Sequence, residues 1–121
     1  MHAVPRAGFH TLTPRIFAES APALIAFLRE VFDATGDEHP DRPVELRIGD
    51  SLVMVTGTEV RDAFPAFLYV YVDDADRVYA RALAAGASSL EAACDTPYGD
   101  RRATVRDPFG NVWQIAHVLS R

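Results

Sequence analysis

The sequence predicts an α+β fold assembled from two similar halves, each running strand, helix, then further strands. Three observations predict it. Apolar residues recur at the helical 3.6-residue period in two segments and alternate at the strand period elsewhere. The order of segments repeats, with the N-cap candidates Ser20 and Asp74 standing 54 residues apart. Each half closes on a hairpin signal, Gly49-Asp50 in the first and Asp107-Pro108-Phe109-Gly110 in the second.

The elements follow in order. Leu12 to Ala18 is an apolar strand. Ser20 precedes a helix that carries Pro22 in its first turn and runs to about Phe32. Leu24, Phe27, Leu28 and Val31 form its apolar stripe. A polar stretch from Asp33 to Arg42, with Gly36 and Pro40, leaves the second strand of this half weak or absent. Strands Val44 to Ile48 and Leu52 to Thr56 flank the two-residue turn. Gly57 to Pro65 joins the halves.

In the second half Phe67 to Val72 is a strand, and Asp73 or Asp74 caps a helix from about Ala75 to Ala85. Val78, Ala82 and Leu83 form its stripe, and Gly86 stops it. Ala87 to Ala93 is a short strand, and Asp95 to Asp100 a polar loop. Strands Arg102 to Arg106 and Val112 to Leu119 flank the last turn, where Asp, Pro and Gly occupy the places a type I turn favours. Each half thus reads βαβββ, within about 9–57 and 66–119, in one domain over 1–121.

Composition bounds the function. The 121 residues hold 12 basic and 17 acidic groups, a net charge of −5. That balance argues against nucleic acid and anionic membrane as partners. Every cation is Arg, and 19 residues are Ala, a compositional bias rather than a site. The lone Cys94 cannot form an internal disulfide, is expected as a buried apolar residue, and suits the reducing cytoplasm. Met1 to Gly8 has one Arg and no apolar run, so it does not read as a signal peptide.

Several motifs carry a resemblance. They are Arg47-Ile48-Gly49-Asp50-Ser51, Tyr71-Val72-Asp73-Asp74, Ala84-Ala85-Gly86-Ala87, Tyr98-Gly99-Asp100-Arg101 and, most specific, Arg106-Asp107-Pro108-Phe109-Gly110-Asn111. With the repeat, they resemble the vicinal oxygen chelate superfamily of glyoxalase I, bleomycin-resistance proteins and extradiol dioxygenases. The resemblance covers Leu12 to His117. It implies a curved mixed sheet made by the two modules, the glyoxalase/bleomycin-resistance/dihydroxybiphenyl dioxygenase fold, and a homodimer. A ferredoxin-like sandwich ranks second, because it does not explain a hairpin closing each half.

Enzymes of that superfamily hold a divalent metal through four side chains on the first and last strands of each half. Alignment on helices and turns puts those positions at Thr13, Met54, Phe67 and Gln114. Met and Phe offer no nitrogen or oxygen, and Thr is a poor neutral ligand. No metal and no cofactor are therefore expected. His10 and His117 stand three residues from Thr13 and Gln114, an odd offset that turns a strand side chain to the opposite face.

Strand parity then divides the faces. Val44, Leu46, Ile48, Val53, Val55, Leu68, Val70, Val72, Trp113 and Ile115 belong under the helices. The opposite face carries Arg15, Phe17, Glu45, Arg47, Leu52, Met54, Phe67, Tyr69, Tyr71 and Gln114. A bulge at Gly110 adds Arg102, Thr104 and Arg106, while Tyr98 and Arg101 lie in a rimming loop. Such a face suits a planar or amphipathic organic molecule. The expected ligand-binding residues are Arg15, Glu45, Arg47, Met54, Phe67, Tyr69, Tyr71, Tyr98, Arg102 and Gln114. Phe67, Tyr69 and Tyr71 suit a dimer interface equally well. Arg101, Arg102 and Arg106 invite an anion, with Asp95, Asp100 and Asp107 near enough to neutralise them. The leading function is metal-free binding of a small organic molecule. The alternatives are a metal-dependent lyase or dioxygenase of glyoxalase type, and a metal-free acid–base enzyme using Glu45 or Tyr69.

Overall fold

The computed structural model describes residues 4–39, 42–59 and 61–120; Pro40 of the polar stretch lies outside them. In chain order the elements are β1 (Arg15–Phe17), α1 (Ala21–Phe32), β2 (Val44–Ile48), β3 (Ser51–Thr56), β4 (Phe67–Tyr71), α2 (Ala75–Ala84), β5 (Ser88–Asp95), β6 (Asp100–Arg106) and β7 (Val112–Val118). They form two sheets, ordered β1-β3-β2 and β4-β7-β6-β5. In both, the first strand of the half runs parallel to the last, and the hairpin partners run antiparallel. The α+β class and the internal repeat are both present.

The first half lacks a strand equivalent to β5 among the described residues. An isolated bridge between Thr35 and Arg47 stands in its place. There Gly36 takes a φ of 140°, and a Cβ on it would meet the Glu45 carbonyl, so the chain approaches β2 too closely for another residue. The strand β1 is shorter than its apolar run. Pro14 has no N–H to extend the ladder, although its carbonyl still accepts from the Met54 amide at 2.9 Å.

The helices end by different devices. In α1 Pro22 sits in the first turn, but the Ser20 side chain makes no cap bond. Its C-terminus closes on Asp33 in the left-handed region, φ 56°, whose N–H returns to the Leu28 carbonyl. In α2 Asp74, not Asp73, is the cap, accepting from the Arg77 amide at 3.1 Å. His117 reaches the same helix end, where its Nδ1 accepts the Ala75 N–H at 2.8 Å. His117 therefore faces α2, opposite to Gln114, as the odd offset requires.

One apolar core joins the halves. Leu24, Phe27, Leu28 and Val31 of α1 pack with Leu46, Val53, Val55, Val105, Trp113 and Ile115. Two aromatic pairs cross between halves: Phe32 with Trp113 at 5.0 Å and Phe27 with Phe109 at 6.4 Å between ring centroids. On α2 the buried residues are Ala75, Val78 and Ala82. Leu83, expected in this stripe, is exposed; it lies one residue beyond Ala82, about 100° around the helix.

The turn after β6 is heavily hydrogen-bonded. Asp107, 3% exposed, accepts from the Phe109 and Asn111 amides, the Asn111 side-chain amide and the Trp113 indole, all within 3.0 Å. Gly110 takes φ 94° and donates its N–H to the Asp107 carbonyl at 3.2 Å. Asn111 Oδ1 accepts the Ala66 N–H, anchoring the start of β4. Asp107 thus organises the turn and the core beneath it.

Candidate functional site

The sheet registers define an open face turned away from the helices. In the second half it consists of rows across four strands. Tyr69 pairs with Gln114, which pairs with Thr104, which pairs with Glu91. The next row is Tyr71, Ala116, Arg102 and Cys94, and beyond it Val118 pairs with Asp100. Phe67 and Arg106 stand at the other end, both opposite Val112. In the first half Arg15, Glu45 and Met54 form one row, and Arg47 pairs with Leu52.

A hydrogen-bonded network occupies the second-half face. Asp100, 4% exposed, accepts the hydroxyls of Tyr69 at 2.7 Å and Tyr71 at 2.8 Å on one oxygen. The Tyr69 and Tyr98 hydroxyls are 3.2 Å apart, and Arg102 Nη1 donates to Tyr98 at 3.0 Å. Proton counting orients the chain. A phenol has one O–H, and that of Tyr69 goes to Asp100. Tyr98 therefore donates to Tyr69 and accepts from Arg102, so every proton in the chain points inward to the carboxylate. Asp100 is held in turn by its own backbone, whose N–H donates to the Thr96 hydroxyl and whose carbonyl accepts from it.

Two of the predicted anion-binding cations are engaged. Arg102 gives Nε and Nη2 to one Glu91 oxygen, at 3.2 and 2.9 Å, and Thr104 donates to the same oxygen. Arg101 projects to the helix side, clamped by Asp76 at 2.8 Å and Asp95 at 3.0 Å, so it does not rim the face. Its guanidinium holds the Asp76 carboxyl below its ordinary value, chiefly by that hydrogen bond. Among the described residues Asp95 is the one of the three nearby carboxylates that neutralises an Arg; Asp100 binds phenols and Asp107 its turn.

Other expected residues are dispersed. Glu45 pairs with Arg6 at 2.7 Å and with Arg42 at 3.9 Å. Arg15 donates to Thr56 and lies over Phe17, 5.1 Å from the ring centroid. Cys94 is exposed, not buried. The strand β5 is an edge strand with two register shifts, between Ser89 and Glu91 and between Glu91 and Cys94, which upset its alternation. Those shifts also bring Glu91 onto the open face, where parity alone does not place it.

Beside the network a cleft of about 330 Å³ opens between the halves. Its walls are His10, Leu12, Pro14, the Ile48–Val53 hairpin, Leu68 to Tyr71, and Trp113. Tyr69 and Tyr71 belong to both cleft and network, their centroids 5.4 Å apart and their rings inclined at 59°. Of the ten expected ligand-binding residues, these two alone line the cleft. The four positions expected to correspond to metal ligands, Thr13, Met54, Phe67 and Gln114, supply a hydroxyl, a thioether, a phenyl ring and an amide, a donor set that does not fit a divalent ion. Among the described residues no three His, Cys, Asp or Glu side chains converge as metal ligands.

The network also governs the two phenols. Loss of hydration at its hydroxyl, then the bonds to Tyr98 and Asp100, push Tyr69 far above the ordinary 10.0. Tyr71 is raised chiefly by its bond to Asp100. The folded chain holds both protons more tightly than the unfolded chain. This contribution to stability is complete below pH 10.0 and is lost as pH rises through the elevated folded values. Titration of phenolate absorbance should therefore show fewer ionised tyrosines in the native chain than in urea at the same alkaline pH. The deficit should approach two of the four. Coincident curves would refute the network.

The sequence profile described as Glyoxalase/Bleomycin resistance protein/Dioxygenase superfamily matches residues 8–115. An uncharacterized protein of Mycobacterium bovis is 30% identical over 127 residues, spanning 89% of this chain and 83% of its own. Among solved structures, TioX from Micromonospora sp. ML1 superposes with a TM-score of 0.77 at 24% identity, covering 91% of this chain and 99% of its own. A glyoxalase/bleomycin resistance protein/dioxygenase family enzyme from Burkholderia phytofirmans PsJN gives 0.77 at 26% identity, covering 88% and 97%.

Proposed function

The chain belongs to the glyoxalase/bleomycin resistance protein/dioxygenase superfamily, and from that premise we propose that it binds a small aromatic or amphipathic organic molecule without a metal. The observation carrying this reading is the position of Tyr69 and Tyr71. They wall an apolar cleft of drug-pocket size and are fixed by a buried carboxylate. Rings held in place give up little freedom when a ligand stacks on them.

The donor set at Thr13, Met54, Phe67 and Gln114 favours binding over metal-assisted chemistry. The acid–base alternative is disfavoured by its own candidates. Tyr69, its pKa raised by burial and its hydrogen bonds, keeps its proton near neutral pH and is not available as a base, and Glu45 is tied to Arg6. A homodimer is part of the proposal. Phe67, Tyr71 and Tyr98 are each about 60% exposed or more, and β1 and β4 are sheet edges. A second copy would cover such surface.

Calorimetric titration with the neutral probe 1-naphthylmethanol tests the reading. Saturable binding is expected, unchanged by a chelator. Separate titrations with nickel, zinc, manganese and iron should show no stoichiometric site. Tight binding of one metal per chain, or probe binding that needs metal, overturns the proposal.

A further inference from the structure

We infer that the ligand taken by this cleft is an organic cation: an apolar or aromatic body in the cleft, bearing a protonated amine seated against the Tyr69 and Tyr71 hydroxyls. The inference rests on the binding reading above and names its ligand class.

Three observations carry it. First, the network presents acceptors. Because the Tyr98, Tyr69 and Tyr71 protons all run inward to Asp100, the phenol oxygens retain lone pairs and no hydroxyl proton for a ligand. A ligand group meeting them must itself donate. Second, Asp100 is buried with two neutral donors, and among the described residues no cation lies within ion-pair distance of it. Arg102 is directed to Glu91 and touches the network only through Tyr98. Arg106 shares the face but stands six residues along β6 from Asp100, roughly 20 Å away. Third, among the described residues no Arg lines the cleft, whose titratable wall residues besides the two tyrosines are Asp50 and His10.

The aromatic walls act in the same direction. The negative ring faces of Tyr69 and Tyr71 attract a cation, most strongly where water is excluded. An ammonium also supplies several N–H donors to the lone pairs left free. An anionic ligand would meet the phenol acceptors, with the Asp100 carboxylate behind them, and Asp50, and among the described residues no Arg in the cleft wall to receive it.

The test uses three probes that share one ring system: 1-naphthylmethylamine, 1-naphthylmethanol and 1-naphthoate, titrated into the full chain at neutral pH. The amine is expected to bind at least tenfold more tightly than the alcohol, and naphthoate more weakly than either. Asp100→Asn keeps an acceptor for the phenols and removes the charge. It should bring the amine down to the affinity of the alcohol and leave the alcohol within about twofold. Where that variant fails to fold, the ranking of the three probes on the unaltered chain decides. Equal binding of amine and alcohol, or a preference for naphthoate, overturns the cation while leaving the binding reading intact. A folded Asp100→Asn that retains the preference for the amine also overturns it. Failure of all three probes removes both.

Discussion

Asp107→Ala should destabilise the fold by about 4 kcal/mol, the largest loss expected from any single side chain on β6 or its turn. Asp107 accepts four hydrogen bonds while 3% exposed. Truncation leaves the Trp113 indole N–H and the Asn111 side-chain amide without that acceptor, in a region closed to water. Each orphaned buried donor costs roughly 1–3 kcal/mol. The effect spreads, because Asn111 holds the start of β4 and Trp113 packs against Phe32 of the other half. Urea unfolding followed by circular dichroism should show the midpoint fall by about 2–3 M. Asp107→Asn, which keeps one acceptor oxygen, should lose about half as much. A loss under about 1 kcal/mol for Asp107→Ala would mean that the turn is held by its backbone alone.

This turn was legible in the sequence because Asp, Pro and Gly each act there for a local reason. The same holds for the Gly49-Asp50 hairpin and for the Leu24, Phe27, Leu28 and Val31 stripe. Parity also placed Phe67, Tyr69, Tyr71 and Gln114 on one face, and the registers agree. Where local chemistry was overridden, the reading shifted. Ser20 precedes a helix as a cap would, yet Asp74 is the residue that caps. Cys94 reads as a core residue by type, but it stands on an edge strand whose two register shifts no short pattern signals.

The candidate site was half legible. Its aromatic residues follow from alternation, but its centre, Asp100, ends a polar stretch whose composition reads as a loop. A signal was present: Asp100 stands two residues before Arg102, hence on the same face once β6 is extended. Glu91 carried no comparable signal, because the irregular pairing of β5 brings it there. Arg101 and Arg102 share the anion-binding expectation, but one step along a strand sends Arg101 to the helix side and Asp76. Charge partners on distant elements decide which Arg remains available, and they are invisible until strands are paired.

Tyr69→Ala should weaken binding of 1-naphthylmethanol by about 30-fold, equivalent to about 2 kcal/mol, without dissociating the proposed dimer. The ring walls the cleft and leans on Tyr71, so truncation removes a stacking surface and leaves its neighbour unsupported. It also deprives Asp100 of one of two hydroxyl donors. Tyr69→Phe separates these effects: the ring stays, the hydroxyl goes, and the neutral probe should lose less than about threefold. Light scattering on the same samples distinguishes pocket from interface. A ring 38% exposed in one chain is available to a ligand or to a second copy. If Tyr69→Ala yields monomers where the unaltered chain is dimeric, the ring belongs to the interface, and the weaker binding follows from loss of the partner. If the variant keeps its oligomeric state and Tyr69→Phe keeps its affinity, the ring face meets the ligand and Asp100 holds it in position.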